Sequence, residues 1–196
     1  MNELKTSNFF YNYYDDVRLM FWDESIFGRI TNIKSCWCPL GVRPTVSSLK
    51  IREFIYAYGA IDPINGDSSF IVAGGCNTEW TSVFLETLSK RFPNDYLLLC
   101  GDNASWHKSK SLIIPDNVEL FFIPAATPEM NPTEQIWEHI KENDFDNTFF
   151  NTLNKVVDQL CCSINNLEIE SFNLTIEAYY DRICLWLIVM ILRNWC

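Results

Sequence analysis

Positive charge is scarce in this chain: 15 Lys and Arg stand against 25 Asp and Glu, a formal net charge of -10. Bulk charge therefore excludes a basic module, and any contact with a polyanion must be local or helped by cations. Long apolar runs are lacking as well. The longest, Ile183 to Leu192, is ten residues and too short to span a bilayer, so no membrane partner is expected. No charged n-region with an apolar h-region and a cleavage site opens the chain, and its eight cysteines include no C-x-x-C pair. A reducing cytoplasm is expected, and structural zinc has little support. Repeats, low-complexity tracts and Pro/Gly-rich linkers are missing. So are a P-loop, H-E-x-x-H and G-x-S-x-G, which leaves nucleotide hydrolysis, zinc proteolysis and serine esterase chemistry without a motif.

What is present is enough for one folded domain: 196 residues, 48% hydrophobic and 15% aromatic. Val17 to Trp22 reads as a strand ending in a turn at Asp23-Glu24-Ser25, and Ile30 to Cys38 as a second extended region before Pro39, Gly41 and Pro44. Leu49 to Ile61 and Ser69 to Ala73 read as a hairpin about the turn Asp62 to Gly66. From Thr78 to Phe92 the period becomes helical, with Trp80, Val83, Phe84, Leu85 and Leu88 on one face. Tyr96 to Cys100 and Val118 to Ile123 have the continuous apolar look of buried strands. Asn131 to Asn143, with a cap at Asn131 and Pro132 in its first turn, and Thr148 to Ile164 read as helices. The expected class is α/β, a mixed five-stranded sheet flanked by helices. The expected organisation is an N-terminal extension over 1–15, one domain over 16–165 and an apolar tail over 166–196.

Three acids stand where these elements meet: Asp23 after the first strand, Asp102 after the strand ending at Cys100, and Glu134 in a first helical turn. In open α/β sheets the functional crevice lies at strand ends, and carboxylates gathered there need protons or cations such as Mg²⁺. Each acid also has a plainer reading. Asp102-Asn103 after Gly101 suits a turn, Glu134 suits the N3 position of a helix, and Asp23-Glu24 suits a solvated strand end.

The surrounding residues decide between these. Asp23-Glu-Ser-Ile-Phe-Gly28, Gly101-Asp-Asn-Ala-Ser-Trp-His107 and Pro124-Ala-Ala-Thr-Pro-Glu-Met-Asn-Pro-Thr-Glu-Gln-Ile-Trp137 occur in that order. The sequence resembles bacterial insertion-sequence transposases of the mariner superfamily over about residues 16 to 165, with the Asp-Asp-Glu (DDE superfamily) endonuclease domain. The resemblance implies a ribonuclease H-like fold and an enzyme of DNA transposition. It implies Asp23, Asp102 and Glu134 as catalytic acids and metal ligands, with Glu24 and Glu138 as neighbours only. Two Mg²⁺ ions, with Mn²⁺ as a substitute, would be held with Asp23 bridging and Asp102 and Glu134 each on one side. Such a pair activates an attacking oxygen and stabilises the leaving one. Asn103, His107, Lys108 and Asn131 are expected to orient the acids or touch DNA.

The implied function is metal-dependent cleavage at transposon ends followed by strand transfer, in the bacterial cytoplasm at the nucleoid. The implied partners are double-stranded DNA and a second copy of the chain or a full-length transposase. Two alternatives are an inactive remnant that acts by association and another ribonuclease H-like nuclease. Residues before Val17 do not read as a helix-turn-helix, and the interval from Asp102 to Glu134 is slightly short for the family. Asp102→Ala is expected to leave the fold stable, since it removes one of several repelling carboxylates.

Overall fold

Alternation along the first strand divides the molecule into two cores. β1 (Asp16–Ile30) points Met20 and Trp22 to one face of the sheet and Phe21 and Phe27 to the other. The computed structural model describes residues 14–124 and 131–167. Most of the expected N-terminal extension, residues 125–130 of the third motif and nearly all of the apolar tail lie outside the described residues.

β2 (Lys50–Ile61) and β3 (Ser68–Ala73) pair antiparallel beside β1, while β4 (Asp95–Gly101) and β5 (Val118–Phe122) pair parallel on its other side. The strand order is β3-β2-β1-β4-β5, the mixed five-stranded sheet that the sequence predicts. α1 (Thr78–Arg91) makes the crossover from the β3 edge to β4 and buries Phe84, Leu85 and Leu88 against Met20, Trp22 and Tyr58. α2 (Pro132–Ile140) and α3 (Leu153–Asn165) cover the opposite face, where Ile136, Trp137, Ile140, Val156 and Leu160 pack on Phe21, Phe27 and Ala57. Among the described residues no helix is long and apolar enough to cross a membrane.

Three sequence expectations need correction. The turn at Asp23-Glu24-Ser25 does not form: β1 runs on to Ile30, because β2 pairs with it from Phe21↔Ile61 to Gly28↔Phe54 and satisfies its backbone. The expected strand Ile30 to Cys38 stops at Ile30, where the register with β2 slips, and 31–49 form an irregular excursion with a turn at Pro39–Val42. The helix expected from Thr148 starts at Leu153, because the Thr152 hydroxyl caps it by accepting from the Lys155 N–H at 3.3 Å.

Candidate active site

A gap in the sheet makes the crevice. β4 ends at Gly101, paired with β1 only as far as Phe21↔Cys100, whereas β1 continues along β2. Beyond that point β1 has, among the described residues, one strand neighbour instead of two. Asp102 follows the end of β4 and lies within electrostatic reach of Asp23. Asp23 thus lies within β1, paired with Gly59, and not after a strand end as its sequence suggests.

The start of α2 brings Glu134 within electrostatic reach of Asp23. Buried Asn131 accepts from the Thr133 N–H at 3.2 Å through its side-chain oxygen and donates from Nδ2 to the Trp22 carbonyl at 3.1 Å. The cap of the helix is thereby tied to the residue preceding Asp23, and Pro132 suits the first turn because it lacks an N–H to satisfy. One turn on, Trp137 lies on the sheet where β2 has Gly59, the partner of Asp23. A Cβ there would stand 2.8 Å from the indole, so the helix approaches this closely only over glycine.

The electrostatics mark Asp23 as the unusual member. Its pKa is pushed up to about 7, by burial first, then by the charge of Glu24, and further by Glu134 and Asp102; a backbone bond at Glu24 opposes this. Asp23 thus feels both of the other predicted acids. Lys141, two helical turns after Glu134, is a cation that feels the charge of Asp23. Burial lowers the Lys141 pKa while the charge of Asp23 opposes the fall, and its ammonium lies 5.4 Å from the centre of the Phe27 ring.

Asp102 is engaged differently. Its Oδ1 accepts from His107 Nδ1 at 2.9 Å and from the Ala104 N–H at 3.0 Å. The bond from His107 holds the Asp102 carboxyl below the usual range, although partial burial works the other way. His107 is itself buried, and its Nε2 faces Glu24 Oε1 at 2.8 Å. Burial alone would lower its pKa, but the bonds to Asp102 and Glu24 outweigh this and push it up to about 9, so the ring is an imidazolium at neutral pH. The expectation that Asp102→Ala is neutral for the fold is therefore corrected on physical grounds: the substitution strips a partner from a buried cation.

Of the other predicted residues, Asn103 donates from Nδ2 to the Ile123 carbonyl at 3.0 Å, joining the ends of β4 and β5. Lys108 is exposed, with its ammonium 5.1 Å from the centre of the Phe122 ring. Sequence reading missed Glu24 as a partner of His107, and it missed Lys141. For Lys141 a signal existed, since its spacing of seven from Glu134 sets both on one helical face. For Glu24 the only signal was its place next to Asp23 on an alternating strand.

The donor chemistry fits a hard cation. Asp23, Asp102 and Glu134 offer carboxylate oxygens only, the ligands preferred by Mg²⁺ and Mn²⁺, and burial with neighbouring carboxylates holds Asp23 well above the usual carboxylate range. Among the described residues no group of three or more His, Cys, Asp or Glu side chains is gathered closely enough to hold a metal by itself.

Comparison with known proteins bears on the family and the fold. The family model for the DDE superfamily endonuclease matches residues 18–157. An uncharacterised protein of Sinorhizobium fredii, y4pE/y4sA, is 31% identical over 113 residues, which are 57% of this chain and 84% of that protein. Among solved structures, the Mos1 mariner paired-end complex with Mn superposes with a TM-score of 0.65 at 15% identity, covering 85% of this chain and 53% of the Mos1 chain. The pre-cleavage Mos1 transpososome gives 0.64 at 14% identity, covering 85% of this chain and 54% of that one. The chain thus spans about half the length of the Mos1 chains it matches, and the shared architecture is the ribonuclease H-like fold. With well over half of its length matched by the family model, the chain belongs to the DDE superfamily endonucleases.

Proposed function

We propose that this chain is the catalytic domain of a DNA transposase, which cleaves DNA at transposon ends and transfers the 3′-hydroxyl into target DNA with divalent metal. The observation that carries the reading is Asp23: a carboxyl held mid-strand at the mouth of the crevice, pushed up to about 7, and acted on by the charges of Asp102 and Glu134. An acid kept in so unfavourable a setting is the mark of a site completed by something positive. Family membership and the fold shared with the Mos1 mariner complexes, solved with Mn and with Mg, support the same reading.

Asp23, Asp102 and Glu134 are the residues that would hold Mg²⁺, or Mn²⁺ in its place. When bound, such ions supply the activation of the attacking oxygen and the stabilisation of the leaving oxygen. The protein's own part is to fix the three acids on different elements. Asp23 is set by the β1–β2 pairing, Asp102 by its two bonds through Oδ1, and Glu134 by the Asn131 cap. Lys141 places a positive charge beside Asp23, where a DNA phosphate has to approach. Double-stranded DNA is the partner this arrangement suits, with a second copy of the chain or a full-length transposase as the further partner.

The test is nicking of a supercoiled plasmid, or of duplexes carrying candidate transposon ends, with Mg²⁺ or Mn²⁺ and with chelator. The parent is expected to nick only with metal, and Asp23→Asn, Asp102→Asn and Glu134→Gln are each expected to lower the rate by at least about a hundredfold. Metal-independent nicking, or variants equal to the parent, would overturn the assignment. A folded parent that nicks nothing would favour a remnant acting by association.

A further inference from the structure

Adjacent residues on a strand face opposite ways, so while Asp23 faces the crevice, Glu24 points into the other core. Its carboxylate is only 7% exposed. Oε1 takes two donors there, His107 Nε2 at 2.8 Å and Trp106 Nε1 at 3.3 Å. His107, 1% exposed at its side chain, turns its other nitrogen to Asp102 Oδ1 at 2.9 Å. The ring is held in this bridge on one side by Trp22, 4.3 Å away between ring centres. Trp22 in turn lies against Gly101, where a Cβ would stand 2.4 Å from the indole nitrogen, so the residue before Asp102 must be glycine for this packing. From the far side, Thr78 at the start of α1 donates through its hydroxyl to the Trp106 carbonyl at 3.3 Å and holds the short turn Ser105–Lys108 in place.

The geometry points to Glu24 as a positioning residue for the metal-binding acid Asp102, acting through His107. Both protein donors to the Asp102 carboxylate, the His107 ring and the Ala104 N–H, land on Oδ1, while the side chain stays 53% exposed. Among the described residues these donors leave Oδ2 open to a cation. A carboxylate and an imidazolium buried together contribute little net stability compared with an apolar pair of the same size. Their worth lies in direction: a chain of hydrogen bonds from β1 to the end of β4 fixes which oxygen a cation meets. Partners of this kind behind a ligand typically change metal affinity by about 10–100-fold when removed. This inference rests on the proposed metal-dependent reading.

The test measures Mn²⁺ affinity of the full chain by calorimetry or electron paramagnetic resonance, without reference to catalysis. Glu24→Asp keeps the charge but draws the carboxylate out of reach of His107, and is expected to weaken binding about tenfold. Glu24→Gln keeps the reach and an accepting oxygen, and is expected to stay within about threefold of the parent. In a His107→Ala background, Glu24→Asp is expected to cost nothing further, since its effect passes through the missing ring. Parent-like affinity for Glu24→Asp, or an equal loss in both backgrounds, would overturn the role of Glu24 and leave the metal site standing. A parent that binds no Mn²⁺, or binds it as well after Asp23→Asn, would sink the metal-dependent reading and this inference together.

Discussion

Asp23 is where the chemistry of a single residue is most exposed to measurement. Burial and neighbouring carboxylates push its carboxyl up to about 7 in the folded protein, from about 3.9 in an unfolded chain. Between those values the folded state keeps a proton that the unfolded state has lost, so this group makes stability fall as pH rises from about 4 to 7. One pKa unit is about 1.4 kcal/mol, and incomplete burial reduces the full figure, leaving a contribution of about 2–4 kcal/mol. Asp23→Asn removes it. The variant is therefore expected to exceed the parent in urea unfolding by at most about 1 kcal/mol at pH 4.5 and by about 2–4 kcal/mol at pH 7.5 without metal. Added Mn²⁺ is expected to narrow the gap by stabilising the parent alone. Identical pH profiles for the two proteins would remove the physical basis for a cation at this site. His107 works in a different window: its raised pKa gives stability that is complete below about 6.5 and lost as pH rises through about 9, so it does not confuse the comparison at pH 4.5.

At the scale of elements, the joint between α2 and β1 decides whether three acids share one crevice. Asn131 does two things there, accepting from the first helical turn and donating to the Trp22 carbonyl. Asn131→Ala loses both and is expected to cost about 1–3 kcal/mol in urea unfolding. Asn131→Asp keeps a good cap but has no N–H for Trp22, so it is expected to recover only the helix part. Full recovery by Asp would mean that the tie to β1 carries no weight. Much of this level was legible in the sequence: the apolar runs of β4 and β5, the helical period of α1 and the Asn131-Pro132 start of α2 all rest on local signals. What escaped was non-local. Asp23-Glu24-Ser25 has the composition of a turn, and only its pairing with Tyr58 and Gly59 on a distant strand keeps it extended. In the same way the three acids were marked by their motifs, but the Glu24 to His107 bond joins residues 83 apart and leaves no periodic trace.

The whole molecule poses a problem that no single residue answers, because under the proposed function a chain with a net charge of -10 would have to approach a polyanion. Bulk electrostatics oppose the encounter, so affinity must come from few, local contacts and from cations in the acidic crevice. Two consequences follow for duplex binding. Affinity should be low without divalent cations and rise when Ca²⁺ is added, since a hard cation offsets the carboxylates whether or not it supports cleavage. Its dependence on NaCl should also be shallow, because each phosphate neutralised by a side chain contributes a slope of only about -0.9 in the logarithm of affinity against that of salt. Lys108, exposed on the turn that follows Asp102, is the predicted residue best placed to make one such contact. Lys108→Gln is then expected to weaken binding similarly on all sequences and to reduce the slope by about one, as read by fluorescence anisotropy over a range of salt. An unchanged slope would assign Lys108 to its contact with Phe122 alone. A steep slope in the parent would show that a broad basic surface engages the duplex despite the overall charge, and would move the interface away from the crevice.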